Sequence, residues 1–115
     1  MNILNLFRRP RFLKNLSPQD LALRMEDFSK PIIVDVRTAF EFKSGHIAGA
    51  MNFPLGSELQ AAQKIAPNTP VILICKTGHR SQAAAHTLLK NAFTDLSQLD
   101  GGMDRWRKEN YPVEK

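Results

Sequence analysis

Val71-Ile72-Leu73-Ile74-Cys75, followed at once by Lys76-Thr77-Gly78-His79-Arg80-Ser81, is the stretch on which the fold turns. The first five residues are apolar and mostly β-branched or leucine, with the length of a strand buried on both faces. Pro67-Asn68-Thr69-Pro70 before them is a turn, and residues 81–91 after them are rich in alanine and leucine, a composition that favours helix. A buried strand that passes through a short polar loop into a helix is the unit of an α/β sheet.

The same alternation extends outward in both directions. Ser17-Pro18-Gln19-Asp20 has serine at an N-cap, proline at the first helical position and an acid in the first turn, and Leu21, Met25 and Phe28 then share one face. Lys30-Pro31 ends that helix, and Ile32-Ile33-Val34-Asp35-Val36 follows as a second buried strand. Thr38 and Glu41 have capping-box spacing, so a short helix starts there and stops at Gly45. Residues 50–53 form a short strand, Ser57-Glu58-Leu59-Gln60 repeats the capping-box pattern, and residues 96–99 form a last strand. Gly101-Gly102 separates that strand from a short helix carrying Trp106. Apolar runs interleaved with helices predict an α/β fold, a mostly parallel sheet of about five strands with helices on both faces.

At 115 residues and 13.0 kDa the chain holds one hydrophobic core and has no room for a separate cofactor domain. Its longest apolar run is the five residues 71–75, far short of the roughly 18 that suggest a membrane-spanning helix. Sixteen basic and eleven acidic residues give a net charge of +5, but Arg8, Arg9, Arg11 and Lys14 all precede the first acid, Asp20. From residue 15 onward the balance is twelve to eleven. A body that near to neutral is not a nucleic-acid-binding fold, which carries a basic stripe over the domain itself. The reading is therefore a basic arm over residues 1–14 and one domain over residues 15–115. The arm is taken as a solvated terminus rather than a membrane contact, because its apolar residues precede its charges and Pro10 interrupts any long amphipathic helix. Cys75 is the one cysteine, which excludes a disulfide within the chain and a zinc site built on several cysteines. A lone cysteine fits a reducing compartment, and a cytoplasmic location is expected.

Cys75 stands at the carboxyl end of the most buried strand, where open α/β sheets bind their ligands. The loop after it leads into a helix, so backbone N–H groups and the positive end of the helix dipole converge on the sulfur and favour the thiolate. Lys76 and Arg80 add positive charge, and Gly78 lets the backbone curl into a cradle for an anion. The alternative, a cysteine that merely fills the core, leaves this loop unexplained.

Asp35-Val36-Arg37 with Glu41-Phe42, Gly45-His46-Ile47-Ala48-Gly49-Ala50 with Asn52, the Cys75 loop, and Gly101-Gly102 with Trp106 occur in one order between residues 32 and 113. In that set the chain resembles the single-domain rhodaneses. The resemblance implies a rhodanese-like fold and a sulfurtransferase that needs no cofactor and no metal. Cys75 would attack the outer sulfur of thiosulfate, expel sulfite, and pass the sulfur from a persulfide to cyanide or a thiol acceptor. It further implies that the backbone of Lys76, Thr77, Gly78, His79, Arg80 and Ser81 holds the charged sulfur, with Lys76 and Arg80 pairing the sulfonate oxygens of the donor. Among members of the family, cationic loops suit thiosulfate.

The remaining polar residues read as supports. Arg37 and Glu41 are expected to form a salt bridge that fixes the loop after the second strand, and Asp35 to accept hydrogen bonds near the active loop; for His46 the resemblance implies that it braces its own loop. His86, in mid-helix, reads as structural, and Met103 with Trp106 as closing the core. Two other functions stay open: a rhodanese-like module that binds a partner or relays sulfur from it, and a cysteine phosphatase. The phosphatase loop wants Cys-x5-Arg, whereas here Arg80 comes one position early and Ser81 stands in the arginine's place.

Overall fold

The computed structural model describes residues 13–115. The apolar runs become parallel strands and the segments between them helices. In chain order these are β1 (Leu13–Leu16), α1 (Pro18–Arg24), β2 (Ile32–Asp35), α2 (Ala39–Lys43), β3 (Met51–Asn52), α3 (Glu58–Lys64), β4 (Val71–Ile74), α4 (His79–Lys90), β5 (Leu96–Leu99) and α5 (Gly102–Lys108). The sheet order is β1-β5-β4-β2-β3, with every neighbouring pair parallel. β4 lies at the centre, its Val34↔Leu73 and Leu73↔Gln98 pairings tying it to β2 and β5.

Because side chains alternate along a strand, β4 feeds two cores. Val71, Leu73 and Cys75 join Val34, Ala61, Ile65, Ala84, Ala85 and Leu88 on the face covered by α3 and α4. Ile72 and Ile74 join Ile33, Leu21, Met103 and Trp106 on the face covered by α1 and α5. This is the expected α/β architecture, with helices on both faces. The alternation also fixes the direction of Cys75, whose side chain points to the α4 side of the sheet.

Local signals set most boundaries. Ser17 Oγ accepts the Asp20 amide at 3.0 Å and opens α1 with Pro18 in its first turn. Thr38 and Glu41 close the predicted capping box of α2 in both directions. Four details differ from the sequence reading. α1 stops at Arg24, well before Lys30-Pro31, so Phe28 lies outside it and is fully exposed. Ser57 does not cap α3; its hydroxyl donates to the Pro54 carbonyl at 2.6 Å, while Glu58 Oε1 accepts the Gly56 amide. α4 begins at His79, two residues earlier than composition suggests, because Gly78 at φ +125° provides a sharp entry. Leu13 and Lys14, assigned above to the basic arm, belong to β1, where Leu13 is buried against the core and Lys14 pairs with Asp95. Residues 1–12 of that arm lie outside the described residues.

Candidate active site

The site forms where β2 and β4 end side by side. Asp35 pairs with Ile74 in the ladder and the Val36 amide donates to the Ile74 carbonyl at 2.8 Å, so the segment entering α2 runs beside the start of the Cys75 loop. Cys75 is buried, 1% exposed. Its Sγ accepts the backbone N–H of Gly78 at 2.8 Å, which curls the loop back over the sulfur. The first hydrogen bond within α4 runs from Gln82 to the Gly78 carbonyl. The amides of His79, Arg80 and Ser81 precede it, and the helix dipole adds to them at the loop. Ser81 is buried on the inner face of α4, and its hydroxyl has no hydrogen-bond partner among the described residues. Thr77 and His79 are exposed on the outer rim, Thr77 Oγ1 lying 3.4 Å from His79 Nδ1.

From the other side the loop is held by α5. The Cys75 carbonyl accepts the Met103 amide at 2.8 Å, and the Lys76 carbonyl accepts that of Asp104 at 3.1 Å. Met103 and Trp106 are each 1% exposed, and Trp106 Nε1 donates to the Pro112 carbonyl. Gly101-Gly102 thus brings a helix against the Cys75 loop as well as closing the core.

The charged residues pair differently from the sequence reading. Arg37 does not bind Glu41. Its guanidinium makes three contacts of 2.8 to 3.1 Å with the Asp35 carboxylate and one of 2.8 Å with the Gly45 carbonyl. The reason is geometric: the chain bends at Arg37, directly after β2, and folds its side chain back onto Asp35, while Glu41 lies beyond the turn at Thr38. Asp35 is accordingly spent on Arg37, whose backbone N–H it also accepts, rather than on the Cys75 loop. Asn52 donates to the carbonyls of Asp35 and Arg37 and fixes the same bend from β3. His46 stacks on Phe42 at 3.8 Å, its Nδ1 lies 2.9 Å from the Phe42 carbonyl, and its backbone bridges to Glu114.

Glu41 instead takes Arg80 in a two-pronged ion pair of 2.6 and 2.9 Å. Those bonds hold the Glu41 carboxyl down at about 2, against the opposing effect of burial, and raise Arg80 above its ordinary value. Lys76 faces Asp104 at 3.4 Å, both side chains more than half exposed. Each cation of the loop therefore has an acid beside it. Glu41 was anticipated as a support with another partner, and Asp104 was not anticipated. No short-range pattern marks Asp104, since it lies 28 residues from Lys76.

A cavity of about 240 Å³ is lined by Arg37, residues of α2 and α5, and Lys76 of this loop. A larger one of about 480 Å³, lined by Met25, Pro31, Ile33 and Met51, opens toward the other end of β2, away from Cys75. Cys75 Sγ is thus a buried sulfur that accepts one backbone N–H, at the entry to a helix whose first amides are unpaired within it.

Comparison with known proteins agrees with this architecture. A model of the rhodanese-like domain matches residues 17–109. The uncharacterized protein YqhL of Bacillus subtilis is 38% identical over 96 residues, covering 84% of this chain and 74% of that one. The thiosulfate sulfurtransferase GlpE of Pseudomonas putida is 33% identical over 97 residues, covering 84% and 87%. A crystal structure of a rhodanese-related protein from Thermoplasma volcanium superposes with a TM-score of 0.77 at 27% identity, covering 88% of this chain and 97% of that one. The chain belongs to the rhodanese-like domain family.

Proposed function

We propose that the protein is a sulfurtransferase that carries sulfane sulfur as a persulfide on Cys75, with thiosulfate as donor and cyanide or a thiol as acceptor. The observation that carries this reading is the 2.8 Å contact from the Gly78 amide to Cys75 Sγ at the entry to α4. In the first half-reaction the Cys75 thiolate attacks the outer sulfur of thiosulfate, the sulfur–sulfur bond of the donor breaks, and its electron pair leaves with sulfite. In the second, the acceptor attacks the outer sulfur of the persulfide, and Cys75 departs as thiolate. The charge moves from Sγ to the outer sulfur and back, which suits fixed backbone dipoles better than a single side chain.

The anion binding is more restrained than the loop sequence suggests. Arg80 is engaged by Glu41, so Lys76 is the loop cation freer to meet a sulfonate, its exposed pair with Asp104 being of the weak surface kind. The same pairing favours a second reading, in which a partner protein delivers or receives the sulfur and the site does not depend on a dianion. Phosphate chemistry is disfavoured because Arg80 is committed to Glu41.

Steady-state assay of thiocyanate formation tests the proposal. Double displacement predicts parallel lines in reciprocal plots at varied thiosulfate and cyanide, and loss of turnover in Cys75→Ser. Intersecting lines, or turnover that survives Cys75→Ser, contradict it.

A further inference from the structure

The cavity of about 480 Å³ at the end of β2 away from Cys75 falls within the roughly 300 to 1,000 Å³ of pockets that take drug-sized ligands, so an aromatic side chain fits it. Met25, Pro31, Ile32, Ile33 and Met51 give it apolar walls, and Lys30 is the one charged residue that lines it among the described residues. Phe28 belongs to the same loop, three residues after Met25 and two before Lys30. At 110% exposure its ring stands clear of the surface and leaves the cavity beside it unfilled by its own chain. A lone exposed apolar residue is ordinary. Here, however, an aromatic ring and an apolar recess able to hold it lie on one surface and do not meet within one molecule.

The charges divide in the same way. Glu26 and Asp27 precede the ring and Lys30 lines the recess; all three are exposed, and none makes an ion pair among the described residues. A patch that holds both a projection and the recess that fits it is self-complementary about a twofold axis, and its two contacts close on each other instead of leading to an open chain of copies. The basic N-terminal arm suits the cavity less well, because Arg8, Arg9 and Arg11 would meet Lys30.

We propose that this surface is the interface of a homodimer, in which Phe28 of each copy enters the cavity of the other and Glu26 and Asp27 face the partner's Lys30. Burial of two aromatic rings supplies the attraction, and the opposed charges set the register. The contact is small, so the dimer is weak and forms as concentration rises. It lies at the far end of the sheet from Cys75, and both Cys75 loops stay outside it. The inference does not rest on the persulfide reading.

Sedimentation equilibrium of the full chain from about 10 to about 1,000 µM, at low and high salt, tests it. The wild type is expected to pass from monomer toward dimer over that range and to need more protein at high salt. Phe28→Ser, at a position outside the core, is expected to weaken association about tenfold or more, since each dimer loses two rings. Lys30→Glu is expected to weaken it about threefold at low salt. Adding Glu26→Lys and Asp27→Lys to the Lys30→Glu chain is expected to restore it, a recovery that a merely local role for Lys30 does not give. A wild type that stays monomeric throughout overturns the proposal and leaves the cavity to the N-terminal arm or to another protein. Association that survives Phe28→Ser overturns it too, because the copies then meet elsewhere. So does a charge-reversed chain that associates no better than Lys30→Glu alone.

Discussion

Gly102 and Cys75 are in backbone contact across 27 residues of sequence: a Cβ built on Gly102 would stand 2.5 Å from the Cys75 carbonyl oxygen. It would also strike the Lys76 carbonyl. Gly102 has φ +59°, so its lack of a side chain answers both a left-handed backbone and a close approach. Gly102→Ala is expected to cost about 2 to 4 kcal/mol, combining backbone strain with a clash that only backbone movement relieves. The matched control is Gly49→Ala, at φ +82° with nothing within 4 Å, which carries the strain without the clash. Denaturant melts of the two variants measure the difference, and equal losses would show that the approach of α5 to the Cys75 loop is not tight.

The Glu41–Arg80 pair makes stability depend on pH. The Glu41 carboxyl is lowered from 4.5 to about 2 in the folded protein, chiefly by its hydrogen bonds to Arg80. A lowered carboxyl stabilises the fold above its unfolded value, and that contribution disappears as pH falls through 4.5 toward 2. Glu41→Gln removes the charge while keeping a residue able to close the capping box. With Glu41 partly solvated, the variant is expected to be about 1 to 2 kcal/mol less stable at neutral pH. The gap should close as pH falls toward about 2. Urea unfolding of both proteins at neutral and acid pH checks it; a gap that stays constant would contradict the assignment to this ion pair.

Asp104 restrains Lys76 at the mouth of the site. Asp104→Asn frees the ammonium group and removes a negative charge from the path of an anionic donor. The KM for thiosulfate is expected to fall about two- to threefold at low salt, with kcat for transfer to cyanide unchanged. The effect should fade as ionic strength rises. An unchanged KM across the salt range would mean that Lys76 does not contact the donor.

Much of this was legible locally. The strands β2, β4 and β5 are short apolar runs bounded by turn residues, and the α2 capping box is written in Thr38 and Glu41 alone. β1 escaped because Lys14 and Asn15 interrupt its apolar residues and its one neighbour in the sheet, β5, is remote in sequence. The charge pairing escaped for a related reason. Arg37 and Glu41 have the spacing of a helical pair, but Arg37 lies in the bend before α2 and Thr38 is the N-cap, so the two do not share a helix face. The true partner of Glu41 is 39 residues away. The loop geometry was readable because the strand, Gly78 and the following helix are contiguous; the pairing of its cations with Glu41 and Asp104 comes from elements that only the fold brings together.

Intact-mass measurement after incubation with thiosulfate reports whether Cys75 carries the transferred sulfur. The wild type is expected to gain the mass of one sulfur atom and Cys75→Ser none, and cyanide to remove the added sulfur as thiocyanate. A wild type that gains no sulfur, or a gain that persists in Cys75→Ser, would contradict it.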